Sequence, residues 1–112
     1  ILLNKIKINR MKLFIVTCLK DFQEDVTKIF KAAEIHVFSA TDVTGFKDNQ
    51  TLNLMEDWFA SGDEKFDSLF IFSFTPEENA LTGLDMIKKY NEETDTRFPV
   101  RAFIVPVEKS SY

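Results

Sequence analysis

The stretch from Ser39 to Gln50, SATDVTGFKDNQ, is the most informative part of the sequence, because a β-rich segment passes through Gly45-Phe46 into a long polar segment. Ile35 to Val43 is rich in β-branched and aromatic residues and predicts a strand. Residues 47–65, KDNQTLNLMEDWFASGDEK, lack a clear periodicity, and a loop of this length is uncommon in a compact domain. The junction therefore predicts a strand that ends at a candidate functional loop.

Before this junction the sequence predicts a strand and a helix. Residues 12–18, KLFIVTC, are apolar on both faces, which is typical of an inner strand. Asp21 precedes Glu24 by three residues, as in a capping box, and predicts a helix start. Apolar side chains then recur at helical spacing to about Ala33.

After the loop, a strand, a helix and a last strand are predicted. Residues 66–74, FDSLFIFSF, form the strand, and Thr75 is the expected N-cap of the helix, with Pro76 as its first residue. The helix is expected to end at about Tyr90. A turn region then leads to the last strand at residues 100–107.

The order of these elements predicts an α+β, ferredoxin-like βαββαβ fold with an antiparallel four-stranded sheet. Two helices can cover only one face of such a sheet. In the first and third predicted strands, however, apolar residues alternate on both faces: Phe14 and Val16 against Leu13 and Ile15, and Phe70, Phe72 and Phe74 against Leu69 and Ile71. An uncovered apolar face of this size predicts self-association.

The bulk properties indicate one domain. The 112 residues are divided into 1–10, an extension or cloning remnant that could also be an edge strand, a domain at 11–108 and a tail at 109–112. The net charge of −4 argues against nucleic-acid binding, and a single cysteine suits the reducing cytoplasm. No apolar run approaches the roughly 20 residues that span a membrane.

Three segments resemble the PII family of trimeric signalling proteins in order and spacing. They are MKLFIVTCLKDFQEDVTKIFKAAEI (11–35), TDVTGF (41–46) and RAFIVPVE (101–108). The resemblance implies a homotrimer whose residues 47–65 form the T-loop, which in this family contacts protein partners, often membrane transporters. It also implies that ligands, usually ATP or ADP, bind between subunits beneath the base of this loop.

The resemblance assigns candidate roles to individual residues. The candidate ligand-binding residues are Ser39, Thr41, Gly45, Phe46, Lys47, Arg97 and Arg101. The candidate partner-binding residues of the loop are Asn49, Gln50, Trp58 and Phe59. The aromatic pair Trp58-Phe59 either packs back onto the trimer or docks a partner.

The sequence also departs from the family where phosphate would bind. Residues 90–100, YNEETDTRFPV, contain no glycine, although nucleotide-binding members have a glycine-rich loop there. The carboxylates of Glu92, Glu93 and Asp95 would repel a triphosphate. The Gly-Arg-Gln that follows Gly-Phe in the family is replaced by residues 47–49. These departures argue against ATP, ADP or 2-oxoglutarate binding, and no cofactor is expected.

No catalytic or metal-binding pattern stands out in the sequence. Cys18 has no histidine or basic cluster nearby that would lower its pKa, and it is expected to be a buried, unreactive thiol. His36 is the only histidine, which excludes a metal site of several histidines within one subunit. The sequence therefore predicts a non-enzymatic, cytoplasmic regulator. The alternatives are a small-molecule or metal-ion sensor with sites between subunits and a small dimeric α+β-barrel enzyme.

Overall fold

The computed structural model describes residues 10–46 and 65–111 and contains four strands and two α-helices. A short 3₁₀ turn at Lys20–Phe22 leads into the first helix. The elements in chain order are β1 (Met11–Leu19), α1 (Gln23–Ala32), β2 (Ser39–Phe46), β3 (Lys65–Pro76), α2 (Glu77–Thr94) and β4 (Arg101–Pro106).

The four strands form one antiparallel sheet in the order β2-β3-β1-β4. Thr17 at the centre of the sheet pairs with Phe70 of β3 on one side and with Arg101 of β4 on the other. The predicted α+β, ferredoxin-like fold with an antiparallel four-stranded sheet is confirmed.

The core lies between the two helices and one face of the sheet. Phe14 of β1 and Phe30 of α1 are fully buried, with ring centroids 5.4 Å apart. Gly83 of α2 faces the same ring, because a Cβ at this position would lie 3.0 Å from Cε2 of Phe14. Cys18 is buried on this side of the sheet, as predicted. Burial raises the pKa of its thiol to about 11, which disfavours the reactive thiolate.

The opposite face of the sheet is apolar and is covered by no described element of this chain. We call it the open face. Cα pairing places rows of side chains across it, such as Phe74, Leu13 and Val105, or Phe72, Ile15 and Phe103. Phe74 is 57% exposed and Val105 is 37% exposed. The prediction that both faces of the sheet are apolar is confirmed.

Two predicted helix starts are wrong. Asp21 lies in the 3₁₀ turn, and α1 begins at Gln23 without a side-chain cap. Thr75 belongs to β3, because the pairing of Met11 with Pro76 carries that strand to the start of α2. The backbone N–H of Glu77 then donates to the carbonyl of Arg10 at 2.9 Å, so a partner distant in sequence replaces the side-chain cap.

The second strand starts later than predicted, at Ser39 rather than Ile35. Glu34 adopts a left-handed conformation with φ of 65°, and the N–H of Ile35 bonds to the carbonyl of Phe30 at 2.8 Å. This helix-terminating turn directs Ile35 into the core, where it is 2% exposed, so its apolar character serves packing rather than pairing.

Candidate functional site

Four chain segments meet at one end of the sheet, where β1 and β2 end and β3 and β4 begin. We call this the loop end, because residues 47–64 connect β2 to β3 there. The pairing of Phe46 with Lys65 brings the two ends of this connection together. Gly45, Arg97 and Arg101, all candidate ligand residues, lie at or next to this end.

Arg101 and Thr41 share one row of the open face but do not converge within one subunit. The row runs from Thr41 through Phe70 and Thr17 to Arg101. Adjacent strands lie about 4.8 Å apart, so three strand spacings separate the two by roughly 14 Å. Ser39 lies one row away, opposite Phe72. These residues could line one cleft only if the β2 edge of one subunit meets the β4 edge of another.

Gly45 and Arg97 are connected through two aromatic side chains. Gly45 is buried and pairs with Phe66, the second residue of β3. The Phe66 ring packs against Phe98, with centroids 5.6 Å apart. The Cζ atom of Arg97 lies 5.5 Å from the centroid of the Phe98 ring, within the range of a cation–π interaction. The structure thus joins the loop base to the turn that precedes β4.

Phe66 and Phe98 were not among the candidate residues. In the sequence, Phe66 fits the pattern of the predicted strand, and no local pattern indicates that it contacts Phe98. The Phe98-Pro99 pair after Arg97 was the available signal, because an aromatic next to an arginine in a turn is well placed for a cation–π contact.

The remaining candidates are Phe46, at the end of β2, and five residues that follow it in the chain. Phe46 ends β2 and is 66% exposed. Lys47, together with the four partner-binding candidates Asn49, Gln50, Trp58 and Phe59, lies outside the described residues, and the roles assigned to these five stay predictions.

Two of the three carboxylates expected beside a phosphate lie on a helix and not in the turn. Helix α2 continues to Thr94, so Glu92 and Glu93 belong to its last turns rather than to the turn before β4. Glu93 lines a shallow groove of about 310 Å³ between α1 and α2, together with Ile29, Met86, Lys89 and Tyr90. Of the three acids only Asp95 follows the helix, where it adopts a left-handed conformation with φ of 49°.

His36 pairs with a nearby acid. The Nε2 atom of His36 lies 2.9 Å from a carboxylate oxygen of Glu34 on the exposed surface. No group of three or more His, Cys, Asp or Glu side chains converges within residues 10–46 and 65–111. In this same part of the chain, neither helix is long and apolar enough to cross a membrane.

Comparison with solved structures identifies the fold. This chain is similar to CPII, a nitrogen regulatory PII-like protein from Thiomonas intermedia K12, with 13% identity over 89% of this chain and 94% of that one and a TM-score of 0.59. It is also similar to a PII-like signalling protein from Thermus thermophilus, with 15% identity over 87% of this chain and 86% of that one and a TM-score of 0.61. The GlnK–ATP complex of B. subtilis is similar with 10% identity over 89% of this chain and 85% of that one and a TM-score of 0.64. No protein-family model and no curated protein matches the sequence. The chain has the PII-like fold, and the resemblance inferred from sequence is confirmed at this level.

The same comparisons correct the expectation about cofactors. Structures of CPII contain ADP and AMP together with bicarbonate in one and acetate in another, and the GlnK structure contains ATP. The prediction that ATP or ADP binding is lost and that no cofactor is expected was therefore wrong. It treated Glu92 and Glu93 as part of the phosphate-facing turn, whereas both lie on α2. It also undervalued guanidinium groups, which bind phosphate without a glycine-rich backbone.

Proposed function

We propose that this chain is a non-enzymatic, PII-like signalling protein that forms a homotrimer, binds an adenine nucleotide at the loop end and acts on a protein partner through residues 47–65. The observation that carries the proposal is the meeting of Gly45, Phe66, Phe98 and Arg97 at the base of this loop in a PII-like fold. A ligand bound there would touch the segment that must respond to it.

The homotrimer is supported by the open face. Phe70, Phe72 and Phe74 follow one another along this face, with neighbouring ring centroids 5.8 and 6.5 Å apart. A contiguous apolar surface of this kind favours burial against another surface. A further copy of the chain is the partner consistent with the PII-like fold, and we propose an arrangement in which a β2 edge lies near a β4 edge.

Nucleotide binding is supported by the two arginines and by the nucleotides of the structural neighbours. Arg97 lies in the turn and Arg101 begins β4, and guanidinium groups suit phosphate because their donors form a planar fork. Bicarbonate in CPII indicates that a second small anion is compatible with this fold. The small-molecule sensor considered from the sequence thus becomes part of the same proposal.

The partner is proposed to be a protein, with a membrane transporter as the specific candidate, and the location to be the cytoplasm. Residues 47–65 contain Trp58 and Phe59, and large aromatics of this kind are common interface anchors. The unpaired Cys18 is consistent with a reducing compartment.

Calorimetric titration of the purified chain with ADP and ATP tests the nucleotide part of the proposal. We expect saturable binding that weakens in Arg101→Gln, with Lys109→Gln, an exposed site in the C-terminal tail, as the matched control. The absence of a binding heat with both nucleotides up to millimolar concentrations would overturn the proposal that the chain binds an adenine nucleotide.

A further inference from the structure

The turn between α2 and β4 is fixed by hydrogen bonds at both ends. The Asn91 side chain accepts from the N–H of Val100 at 2.9 Å and donates to its carbonyl at 2.8 Å. The N–H of Asp95 bonds to the carbonyl of Asn91 at 3.2 Å, and the N–H of Phe98 bonds to Oγ1 of Thr96 at 3.0 Å. These contacts tie the turn to the end of α2 and to the start of β4.

The same bonds remove most of the backbone donors that the turn could offer to an anion. The N–H groups of Asp95, Phe98 and Val100 already have acceptors, and Pro99 has no N–H. A backbone cradle for phosphate needs several free N–H groups that point to one place. The remaining N–H groups of the turn, those of Thr96 and Arg97, are too few for such a cradle, so anion recognition there depends chiefly on a side chain.

Arg97 is the side chain placed to do so. Its guanidinium lies 5.5 Å from the centroid of the Phe98 ring, and Phe98 in turn packs on Phe66. Within residues 10–46 and 65–111, no carboxylate oxygen lies within ion-pair distance of Arg97. The positive charge is thus supported by an aromatic ring and is not neutralised by an acid of the described residues, which leaves its N–H donors available to a phosphate.

We infer that Phe98 is a positioning residue for nucleotide binding: its ring, seated on Phe66, orients the Arg97 guanidinium to receive a phosphate of the nucleotide. This inference rests on the proposed function. It assigns phosphate recognition to a stack of Arg97, Phe98 and Phe66 rather than to a glycine-rich backbone. The adenosine part of the ligand should not depend on this stack.

Calorimetry with adenosine, AMP and ADP on four variants tests the inference. Arg97→Gln should weaken ADP binding roughly tenfold, because a charge-assisted bond to phosphate is lost. Phe98→Leu, which keeps an apolar side chain on Phe66, should weaken it about threefold, as expected for an exposed cation–π contact. Phe98→Tyr keeps the aromatic ring and should bind ADP as the unchanged chain does. If Phe98 acts only through Arg97, the double variant Arg97→Gln/Phe98→Leu should bind ADP no more weakly than Arg97→Gln alone.

The dependence on phosphate separates positioning from a structural role. Adenosine affinity should be the same in all variants, and circular dichroism with gel filtration should show an unchanged fold and assembly. Equal losses for adenosine and ADP, or additive losses in the double variant, would overturn the inference and leave the proposed function standing. If the unchanged chain binds ADP no better than adenosine, the inference fails, and if it binds neither, the proposed function fails with it.

Discussion

The ring of Phe98, in the turn before β4, lies on the ring of Phe66 near the start of β3, with centroids 5.6 Å apart. This contact joins the turn that carries Arg97 to the start of β3, which directly follows residues 47–64. Because Phe66 also pairs with Gly45, the end of β2, which directly precedes residue 47, is connected to the same turn. A ligand at Arg97 would therefore act next to both ends of the proposed partner-binding loop.

A charge placed on the open face should disrupt the assembly without unfolding the subunit. Phe74 is 57% exposed on this face, whereas Leu81 on α2 is a similarly exposed apolar residue, at 49%, outside the sheet. We expect Phe74→Glu to convert trimers to folded monomers, because burying a carboxylate in an apolar interface is strongly unfavourable.

Gel filtration with light scattering measures this effect, and Leu81→Glu is the matched control that should stay trimeric. Circular dichroism checks that both variants remain folded. A Phe74→Glu variant with the mass of the unchanged assembly would contradict an interface on the open face.

Asn91→Ala should destabilise the chain by about 1–3 kcal/mol, because it leaves the N–H and carbonyl of Val100 without partners next to the core. Asn79→Ala is the matched control on the same helix, since Asn79 makes one exposed bond of 3.3 Å to Glu34. Its cost should stay below about 1 kcal/mol. Urea denaturation of both variants measures the difference, and equal costs would show that the Asn91 bonds do not fix the turn.

Gly83→Ala should lower stability although alanine is the better helix former. The added Cβ would lie 3.0 and 3.1 Å from ring atoms of Phe14, which is fully buried against Phe30 and has little room to move. Overpacking of about 1–3 kcal/mol should outweigh a helix-propensity gain of about 1 kcal/mol. In a Phe14→Leu background the same change should cost less, and thermal unfolding of the four combinations tests this. A Gly83→Ala variant with a higher Tm than the unchanged chain would be inconsistent with the packing.

Tyr90 should give stability a dependence on alkaline pH. Partial burial, followed by the 2.8 Å hydrogen bond to Asp25, raises the pKa of Tyr90 from 10.0 to about 12. The folded state therefore holds this proton more tightly than the unfolded state does. The associated stability is fully present below pH 10 and is lost as the pH rises towards 12.

The free energy of unfolding should accordingly fall more steeply between pH 10 and 12 in the unchanged chain than in Tyr90→Phe. Asp25→Asn, which removes the charge and keeps an acceptor, should shift the tyrosinate absorbance transition to lower pH. Superimposable pH profiles of the unchanged chain and Tyr90→Phe would argue against the shifted pKa.

The strands were predictable because long apolar runs and alternation are local signals, and β1 and β3 appear close to where the sequence places them. The helix starts were not, because Thr75 remains in a strand through pairing with a distant segment. The late start of β2 depends on the left-handed conformation of Glu34, and a glutamate in the sequence does not predict this conformation.

For the site, Gly45, Arg97 and Arg101 could be proposed from the resemblance alone, and their roles remain proposals. The end of α2 was placed too early because no apolar side chain continues the helical pattern beyond Tyr90. That error moved Glu92 and Glu93 into the turn and led to the wrong prediction about nucleotides. The contact of Phe66 with Phe98 is long-range, and no local pattern encodes it.

Native mass spectrometry of the purified chain, with and without ADP, tests the central claim most directly, because it reports stoichiometry and ligand together. The account predicts the mass of three chains without ADP. With ADP, the mass should increase in steps of one ADP, up to one for each cleft between subunits. A monomer whose mass does not change with ADP would contradict it.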